Sequence, residues 1–547
     1  MLGLPIEPDL PSFSLNTKRK GLIMTKQHNR QPDRQKARNT YMPLTEAQHS
    51  LGLRLNGLAF SIAVAAITAG VTNAFGGSPT LTVIPVVDAN DPVNEGRAIT
   101  PDGLFVVGRS GSPDVNGMNW GFFYNATTLT TVAPLASTAP PDICTGVGYR
   151  TSGSVVQVIV DGWNGIGHMN WETSDGGLTW GAKCRNTSFT EGSYLLPAAN
   201  SLGSSLSSDE FHTIFRSLNK INVYTTDGAG AWPATVGYAS TGFYDHTAGM
   251  NGVAVGGRAV GYFKHDWTGG DQLIHNAVVE WPINDRHTNE FIGLDGTTKG
   301  QAFSVSADGT IIFGQSPLST ATGSTNYGYR VVVAGSAPSL TASSIHQLPN
   351  FPDTAGSVSL AVPYGCTPDG KYAVGMSYRG IETAVLWDTS NNDSTKWTVL
   401  DLMQYAANWG IAGGFNRLTR AYSAGVTAAG DIAITGYGSW SPDGGITTPV
   451  TRAFLMTVPK PIRTRLTFSG SYPAGLTVSY LNLGNTASVL EYATDLNLPH
   501  TWLPINTNQS GNIVTVLDAS PLNKQRYYPA PIHEGPDRLL VSASTWL

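Results

Sequence analysis

Charged residues are scarce in this sequence, and the familiar catalytic motifs are missing. Only 13% of the 547 residues are Asp, Glu, Lys or Arg, and the formal net charge is −5. No long basic stretch follows Arg54, so binding of nucleic acid through its phosphates has no support. The sequence contains no HExxH, GxSxG, phosphate-binding loop or dinucleotide fingerprint. We therefore expect no metal, no cofactor and no nucleic-acid partner.

Cysteine is almost absent as well. Cys144, Cys184 and Cys366 are the three cysteines, and they lack the short paired spacing of a zinc site. Cys144 and Cys184 belong to one repeat unit, where a disulfide in an exported protein and two buried free thiols are both open alternatives. Cys366 precedes a turn, and we expect it to pack rather than react.

Long apolar runs are also lacking. The one uncharged apolar stretch, Gly57 to Thr72, is shorter than the roughly 20 residues of a membrane span, which is the competing interpretation. Small residues follow it, as in a signal peptide. We expect residues 1–54 to be a disordered or untranslated leader, 55–74 a signal peptide and 75–88 a linker, with Met24 and Met42 as alternative starts. The predicted protein is secreted or displayed on the cell surface, and touches the membrane only through this segment.

Glycine, by contrast, is abundant, with 62 residues, and it marks a repeat. Each copy combines a turn with a short β run that ends in glycine, and an aromatic-rich strand follows. The copies are ITPDGLFVVG from Ile99, VSADGTIIFG from Val305, CTPDGKYAVG from Cys366 and VTAAGDIAITG from Val426. Asp-Gly pairs suit tight turns because glycine accepts a positive φ and the aspartate can bond nearby backbone. We therefore expect structural rather than catalytic duty for Asp102, Gly103, Asp308, Gly309, Asp369 and Gly370.

The spacing of the turn glycines predicts the architecture. Counted on the turn glycine or its equivalent, six units are visible, and the interval from Gly153 to Gly252 is 99 residues, nearly twice the others. The six glycines are Gly103, Gly153, Gly252, Gly309, Gly370 and Gly430. SSDEFHTIFRS from Ser207, with NVYTTDG from Asn222, is the candidate for a hidden seventh unit. Units of this size, each with a few strands, are typical of β-propeller blades. The sequence predicts an all-β fold, with a seven-bladed propeller over residues 89–459.

Two motif families support this prediction. The repeat copies resemble the HAF repeats of bacterial extracellular proteins, which implies secretion and a propeller-like body but no established activity. TSDGGLTW, from Thr173 to Trp180, matches the Asp-box pattern. Asp boxes are similar in sialidases, other glycan hydrolases and noncatalytic propellers, and the resemblance implies that this motif fastens a hairpin away from any active centre. The residues that match are Asp175, Gly177, Thr179 and Trp180.

The character of the sequence changes after Pro459. Alternating strands separated by Gly, Pro and Asn predict a small β-sandwich over residues 460–528. LEYATDL from Leu490, Trp502 and QRYY from Gln525 resemble the C-terminal modules of verrucomicrobial and planctomycete secreted proteins. Those modules usually stop there, so the tail, residues 529–547, departs from the pattern.

Candidate catalytic residues are scattered along the sequence and form no recognisable motif. A glycosidase needs two carboxylates across a cleft, and a sialidase adds an arginine cluster. The acids that could serve are Glu95, Asp161, Glu172, Glu191, Asp209, Glu210, Asp245, Asp266, Glu280 and Glu290. The arginines are Arg97, Arg150, Arg216, Arg258 and Arg330. Tryptophans near glycine-rich loops could instead stack on a sugar or anchor a protein, although most are expected to pack: Trp120, Trp163, Trp171, Trp267, Trp281, Trp409 and Trp440.

The sequence therefore favours a secreted or surface scaffold that binds a glycan or a protein without catalysis. A secreted glycan hydrolase or lyase of the Asp-box propeller type is the first alternative. A structural component of the cell envelope is the second. We expect a monomer.

Overall fold

The computed structural model is almost entirely β-structure. It describes residues 77–111, 120–134, 141–152, 155–163, 168–184, 196–197, 212–217, 220–225, 247–254, 258–264, 274–279, 288–320, 323–336, 339–351, 360–378, 380–443, 445–460, 462, 467–471, 475–481, 488–492, 503–509, 513–518, 526–530 and 539–543. Within these residues there is one α-helix, α1 (Leu402–Trp409), and one short 3₁₀ helix, Ser394–Lys396. The predicted all-β class is confirmed. None of the described helices is long and apolar enough to cross a membrane, and the predicted leader and signal peptide lie outside the described residues.

The described residues up to Val458 contain 27 strands. In chain order they are β1 (Thr80–Val83), β2 (Asn94–Ile99), β3 (Phe105–Ser110), β4 (Trp120–Asn125), β5 (Thr130–Val132), β6 (Ile143–Ser152), β7 (Val155–Trp163), β8 (His168–Thr173), β9 (Gly181–Cys184), β10 (Leu196–Pro197), β11 (His212–Ser217), β12 (Lys220–Thr225), β13 (Thr247–Val253), β14 (Ala259–Lys264), β15 (Ile274–Val279), β16 (Thr288–Glu290), β17 (Gln301–Val305), β18 (Ile311–Thr320), β19 (Gly323–Ala334), β20 (Thr341–Gln347), β21 (Leu360–Cys366), β22 (Tyr372–Tyr378), β23 (Glu382–Asp388), β24 (Thr398–Asp401), β25 (Phe415–Val426), β26 (Ile432–Trp440) and β27 (Val450–Val458).

These strands form antiparallel sheets that follow one another along the chain. Five sheets, β2–β5, β6–β9, β13–β16, β17–β20 and β21–β24, each pair four consecutive strands, and β10–β12 form a three-stranded sheet. The last sheet has the order β1-β27-β26-β25, so the first strand of the body completes the last sheet. Successive four-stranded sheets closed by the opposite end of the chain are the arrangement of a β-propeller. A count of seven blades stays a prediction, because most of residues 185–246 lie outside the described residues.

A buried asparagine supports closure of the ring. Asn94, which is 0% exposed, donates from Nδ2 to the carbonyl oxygens of Ile84 and Pro85 at 3.0 and 3.1 Å. Its Oδ1 accepts from the backbone N–H of Ala453 at 2.8 Å. The amide of Asn94 thereby joins the segment after β1 to β2 and β27, and satisfies backbone groups that closure would otherwise bury without partners.

The glycine that ends each repeat is required by close backbone approach. A Cβ at Gly108, Gly375 or Gly436 would lie 1.9 Å from the carbonyl oxygen of Glu95, Val362 or Arg420, respectively. In each case the oxygen belongs to the first strand of the same sheet, beside a β-bulge in the pairing of the first two strands. The second strand can pass the bulge only where it carries no side chain.

The two cysteines of the second sheet cannot form the disulfide that the sequence left open. Cys144 pairs with Gly162, Gly162 with Met169, and Met169 with Cys184, so the cysteines stand at opposite edges of one row of four strands. Three strand spacings separate their Cα atoms by about 14 Å, whereas a disulfide needs less than about 7 Å. Cys144 is a buried free thiol, and burial raises its pKa well above the usual value.

The C-terminal region forms further small sheets. Its strands are β28 (Thr467–Ser471), β29 (Gly475–Leu481), β30 (Ser488–Tyr492), β31 (Leu503–Gln509), β32 (Ile513–Asp518), β33 (Arg526–Ala530) and β34 (Leu539–Ala543). The sheet orders are β28-β29-β32, β30-β31 and β33-β34. The tail that departs from the module pattern thus supplies β34, the partner of the RYY strand. A two-sheet sandwich stays a prediction.

Candidate functional site

The first strands of neighbouring sheets pack beside one another around a central channel. β2 lies against β6 and β25, and β21 lies between β17 and β25. The channel contains a small open cavity of about 80 Å³, below the usual range for small-molecule sites. Its described lining contains no carboxylate. The lining is mostly apolar or aromatic, with a few polar groups, and includes Ile99, Asn251, Phe303, Ser304, Tyr364, Cys366 and Ser423.

The Asp-Gly repeat turns close one end of this channel, which we call the turn end. Each turn joins the first strand of a sheet to its second. The hydroxyls of Thr100, Ser306 and Thr367 donate to Oδ1 of the aspartate two residues later, at 2.7, 2.6 and 2.6 Å. The next residues, Gly103, Gly309 and Gly370, have φ of 77°, 75° and 65°. Asp102, Asp308 and Asp369 therefore hold their own turns.

The Asp box has the same hydroxyl-to-aspartate bond. It lies between β8 and β9, where Thr173 donates to Asp175 at 2.7 Å and Thr179 donates to it at 2.5 Å. Trp180 donates from Nε1 to the carbonyl of Gly177 at 3.0 Å. Hydrogen bonds from Thr179 and then Thr173 hold the pKa of the exposed Asp175 well below its usual range. The motif fastens a hairpin at the turn end.

A second turn of this kind was missed by the sequence analysis. In SPDGGIT, between β26 and β27, Ser441 donates to Asp443 at 2.6 Å, and the backbone and hydroxyl of Thr447 donate to the same carboxylate at 3.0 and 3.1 Å. The signal was the Ser-x-Asp-x-Gly-x-Thr spacing, which went unnoticed because Thr448 stands where tryptophan is usual. This turn joins the second and third strands, so it lies at the end opposite the Asp-Gly turns.

That opposite end carries the main group of charged side chains. Glu95 is shared by two arginines: Nη2 of Arg97 bonds one carboxylate oxygen, and Nη2 of Arg109 lies 3.2 Å from the other. Arg420 binds Glu382 with two parallel hydrogen bonds, of which the one from Nε is 2.8 Å long. That bidentate contact raises the pKa of Arg420.

Aromatic rings connect these ion pairs to the channel. The rings of Phe303, Tyr364 and Tyr422 follow one another with centroids 5.7 and 5.4 Å apart. Tyr437 lies 5.7 Å from Tyr422, and the guanidinium of Arg97 lies 4.6 Å from the Tyr422 ring centroid. The three tyrosines, with Glu95, Arg97, Arg109, Glu382 and Arg420, are called the arginine–tyrosine cluster below.

Two tyrosines of this cluster, Tyr364 and Tyr437, are suited to donate hydrogen bonds rather than to act as bases. Burial raises the pKa of Tyr364 and Tyr437 well above the usual value. Both phenols therefore stay protonated at neutral pH. The positive charges of Arg420 and Arg97 act against this rise in the pKa of Tyr364.

Sequence analysis found only part of this cluster. Glu95 and Arg97 were candidates, but Arg109, Glu382, Arg420 and the tyrosines were not. A positional signal exists: Arg97, Phe303 and Tyr364 each stand three residues before the hydroxyl residue of their repeat turn. These equivalent positions place the three side chains at the same level of the channel.

The other candidates do not form a catalytic group in the described structure. Asp161 is buried in β7, and Glu290 lies 3.7 Å from His275. Among the described residues, no group of three or more His, Cys, Asp or Glu side chains could hold a metal. The side chains of Arg150, Glu191, Asp209, Glu210, Arg216, Asp245, Asp266 and Glu280 lie outside the described residues.

The candidate tryptophans divide between packing and partial exposure. Trp171 is completely buried, while Trp409 and Trp440 pack at the edge of the core between the last two sheets. The guanidinium of Arg452 lies 4.8 Å from the Trp440 ring centroid. Trp267, Trp281 and the side chain of Trp163 lie outside the described residues.

Comparison with known proteins assigns no activity. No family model and no curated protein matches this sequence. The chain is similar to an oligogalacturonate lyase from Vibrio parahaemolyticus, at 12% identity and a TM-score of 0.39, over 71% of this chain and 100% of the lyase. It is also similar to the AtxE2 isopeptidase with Astexin3-dC4 bound, at 9% identity and a TM-score of 0.24, over 68% of this chain and 59% of that one. The tricorn protease is similar at 10% identity and a TM-score of 0.21, over 80% of this chain and 43% of the protease.

Proposed function

We propose that the protein is a secreted or cell-surface propeller that binds a glycan or a protein partner without catalysis. The arginine–tyrosine cluster carries the proposal. The side chains of Arg97, Arg109 and Arg420 are 16%, 26% and 27% exposed, so each can still reach a ligand. The Tyr422 ring beside Arg97 offers a flat surface to a ligand, and the protonated phenols of Tyr364 and Tyr437 offer hydrogen-bond donors. Both features are suited to binding a glycan or a protein.

The carboxylates of the cluster favour binding over hydrolysis. A glycosidase needs one carboxyl group as an acid and another as a nucleophile or base. Glu95 is held by two guanidiniums and Glu382 by a bidentate one. Both carboxylates are thus engaged by arginine side chains, which occupy the oxygens that a catalytic carboxylate would present to a substrate.

A glycan array with the full-length protein tests the proposal. We expect binding that is lost in Tyr437→Ala and kept in Leu178→Ala, because Leu178 is 85% exposed at the turn end. Polysaccharide cleavage should be followed in parallel by the release of new chain ends. Cleavage that disappears in Glu382→Gln would support the hydrolase or lyase alternative. Failure to bind any glycan, with no cleavage, would reject both the glycan-binding scaffold and the hydrolase or lyase, and would leave a protein as the proposed partner.

A further inference from the structure

The charges within the cluster are unevenly matched. Arg420 and Glu382 form a neutral bidentate pair. Among the described residues, in contrast, Arg97 and Arg109 pair with Glu95 alone, so two positive charges face one negative charge. This half of the cluster carries one unmatched positive charge at the opening of the channel.

Hydrogen-bond donors are in surplus at the same place. A guanidinium has five N–H groups. Within the described residues, the only hydrogen bonds of Arg97 and Arg109 go from their Nη2 atoms to Glu95. Their Nε atoms are buried without partners, so the remaining Nη groups are the donors left for a ligand. A partly buried charge without a matching anion is unfavourable, and binding an anion relieves that cost.

We propose that Arg97 and Arg109, which share the single carboxylate of Glu95, bind a carboxylate of an acidic glycan. The proposal rests on the proposed function and specifies the chemistry of its ligand. Planar guanidiniums match the geometry of a carboxylate. Their low exposure, 16% and 26%, favours a narrow sugar chain over the broad face of a folded protein.

Substitutions of the two arginines and of Glu95, which contact one another, should change the affinity for the acidic ligand in opposite directions. Arg97→Gln or Arg109→Gln removes the unmatched charge and should weaken binding roughly 10- to 100-fold, as expected for a hydrogen bond to a charged group. Glu95→Gln raises the local charge and should strengthen binding. Lys396→Gln is the charge control, because Lys396 is 63% exposed and pairs only with Asp393.

The test is titration calorimetry of the full-length protein with a glucuronic acid oligomer and with the glucose oligomer of the same linkage and length. We expect binding of the acidic oligomer alone, weakening as salt increases, with the stated order of variants. Unfolding curves of each variant check the fold, and a gain of affinity in Glu95→Gln cannot arise from misfolding.

Three results would overturn the inference: equal affinity for the two oligomers, weaker binding in Glu95→Gln, or no binding of the acidic oligomer. If a neutral glycan from the array binds instead, the proposed function survives. If the array yields no glycan ligand, this inference and the glycan-binding form of the proposed function both fail.

Discussion

Replacing Asn94 by alanine should weaken closure of the propeller. The change removes three hydrogen bonds: the two that Nδ2 donates to the carbonyls of Ile84 and Pro85, and the one that Oδ1 accepts from Ala453. The bonds to Ile84 and Ala453 are buried, and Asn94 is 0% exposed, so water cannot replace the amide without a rearrangement. A buried polar group left without a partner costs about 1–3 kcal/mol.

We expect a total loss of about 2–5 kcal/mol in the free energy of unfolding, because neighbouring effects do not add fully. The measurement is urea denaturation, followed through the midpoint and slope of the transition. Asn90→Ala is the matched control: Asn90 is exposed, its side chain bonds only Asp88, and its loss should change stability by less than about 0.5 kcal/mol. Equal, small effects of the two substitutions would refute the closure role of Asn94.

Three further outcomes are expected. Gly375→Ala should lower the free energy of unfolding by about 1–3 kcal/mol, because the new Cβ would lie 1.9 Å from the carbonyl oxygen of Val362. Gly181→Ala is the control: the nearest atom to its Cβ would be 4.0 Å away, so the same denaturation assay should show almost no change. Thiol titration of the unfolded, unreduced protein should count all three cysteines, and a count of one would contradict the sheet register. Hydrogen bonds from Ser441 and Thr447 lower the pKa of Asp443 in the folded state. The ionised Asp443 therefore stabilises the fold above about pH 4, and this stabilisation is lost as the pH falls further. Asp443→Asn should therefore reduce the acid dependence of unfolding, and an unchanged pH profile would argue against these bonds.

Local chemistry made the turns predictable. Asp-Gly pairs and the Asp box bring all their bonding groups within a few residues, so the motifs at Asp102 and Asp175 could be assigned without a fold. The turn around Asp443 follows the same rule and escaped notice only through the missing tryptophan. Sequence spacing also predicted repeated β-units, which the successive sheets confirm as a propeller arrangement.

The cluster could not be predicted in the same way, because its members are distant in sequence. Arg97 meets Tyr422 only when the sheet of β25–β27 and the sheet of β2–β5 come together. The partners Arg420 and Glu382 likewise come from two different sheets. No local pattern specifies which charges will face one another.

The sequence by itself determined the turns, the β-character and the repeat, since these depend on short-range backbone preferences and on the period of apolar residues. Tertiary structure alone decided which side chains surround the channel, because closure of the ring brings distant strands into contact. In the folded protein Arg97 and Arg109 share one carboxylate. In the second sheet, the strand register places Cys144 and Cys184 on opposite edge strands, too far apart for a disulfide. The choice of ligand therefore depends on contacts that no single repeat contains.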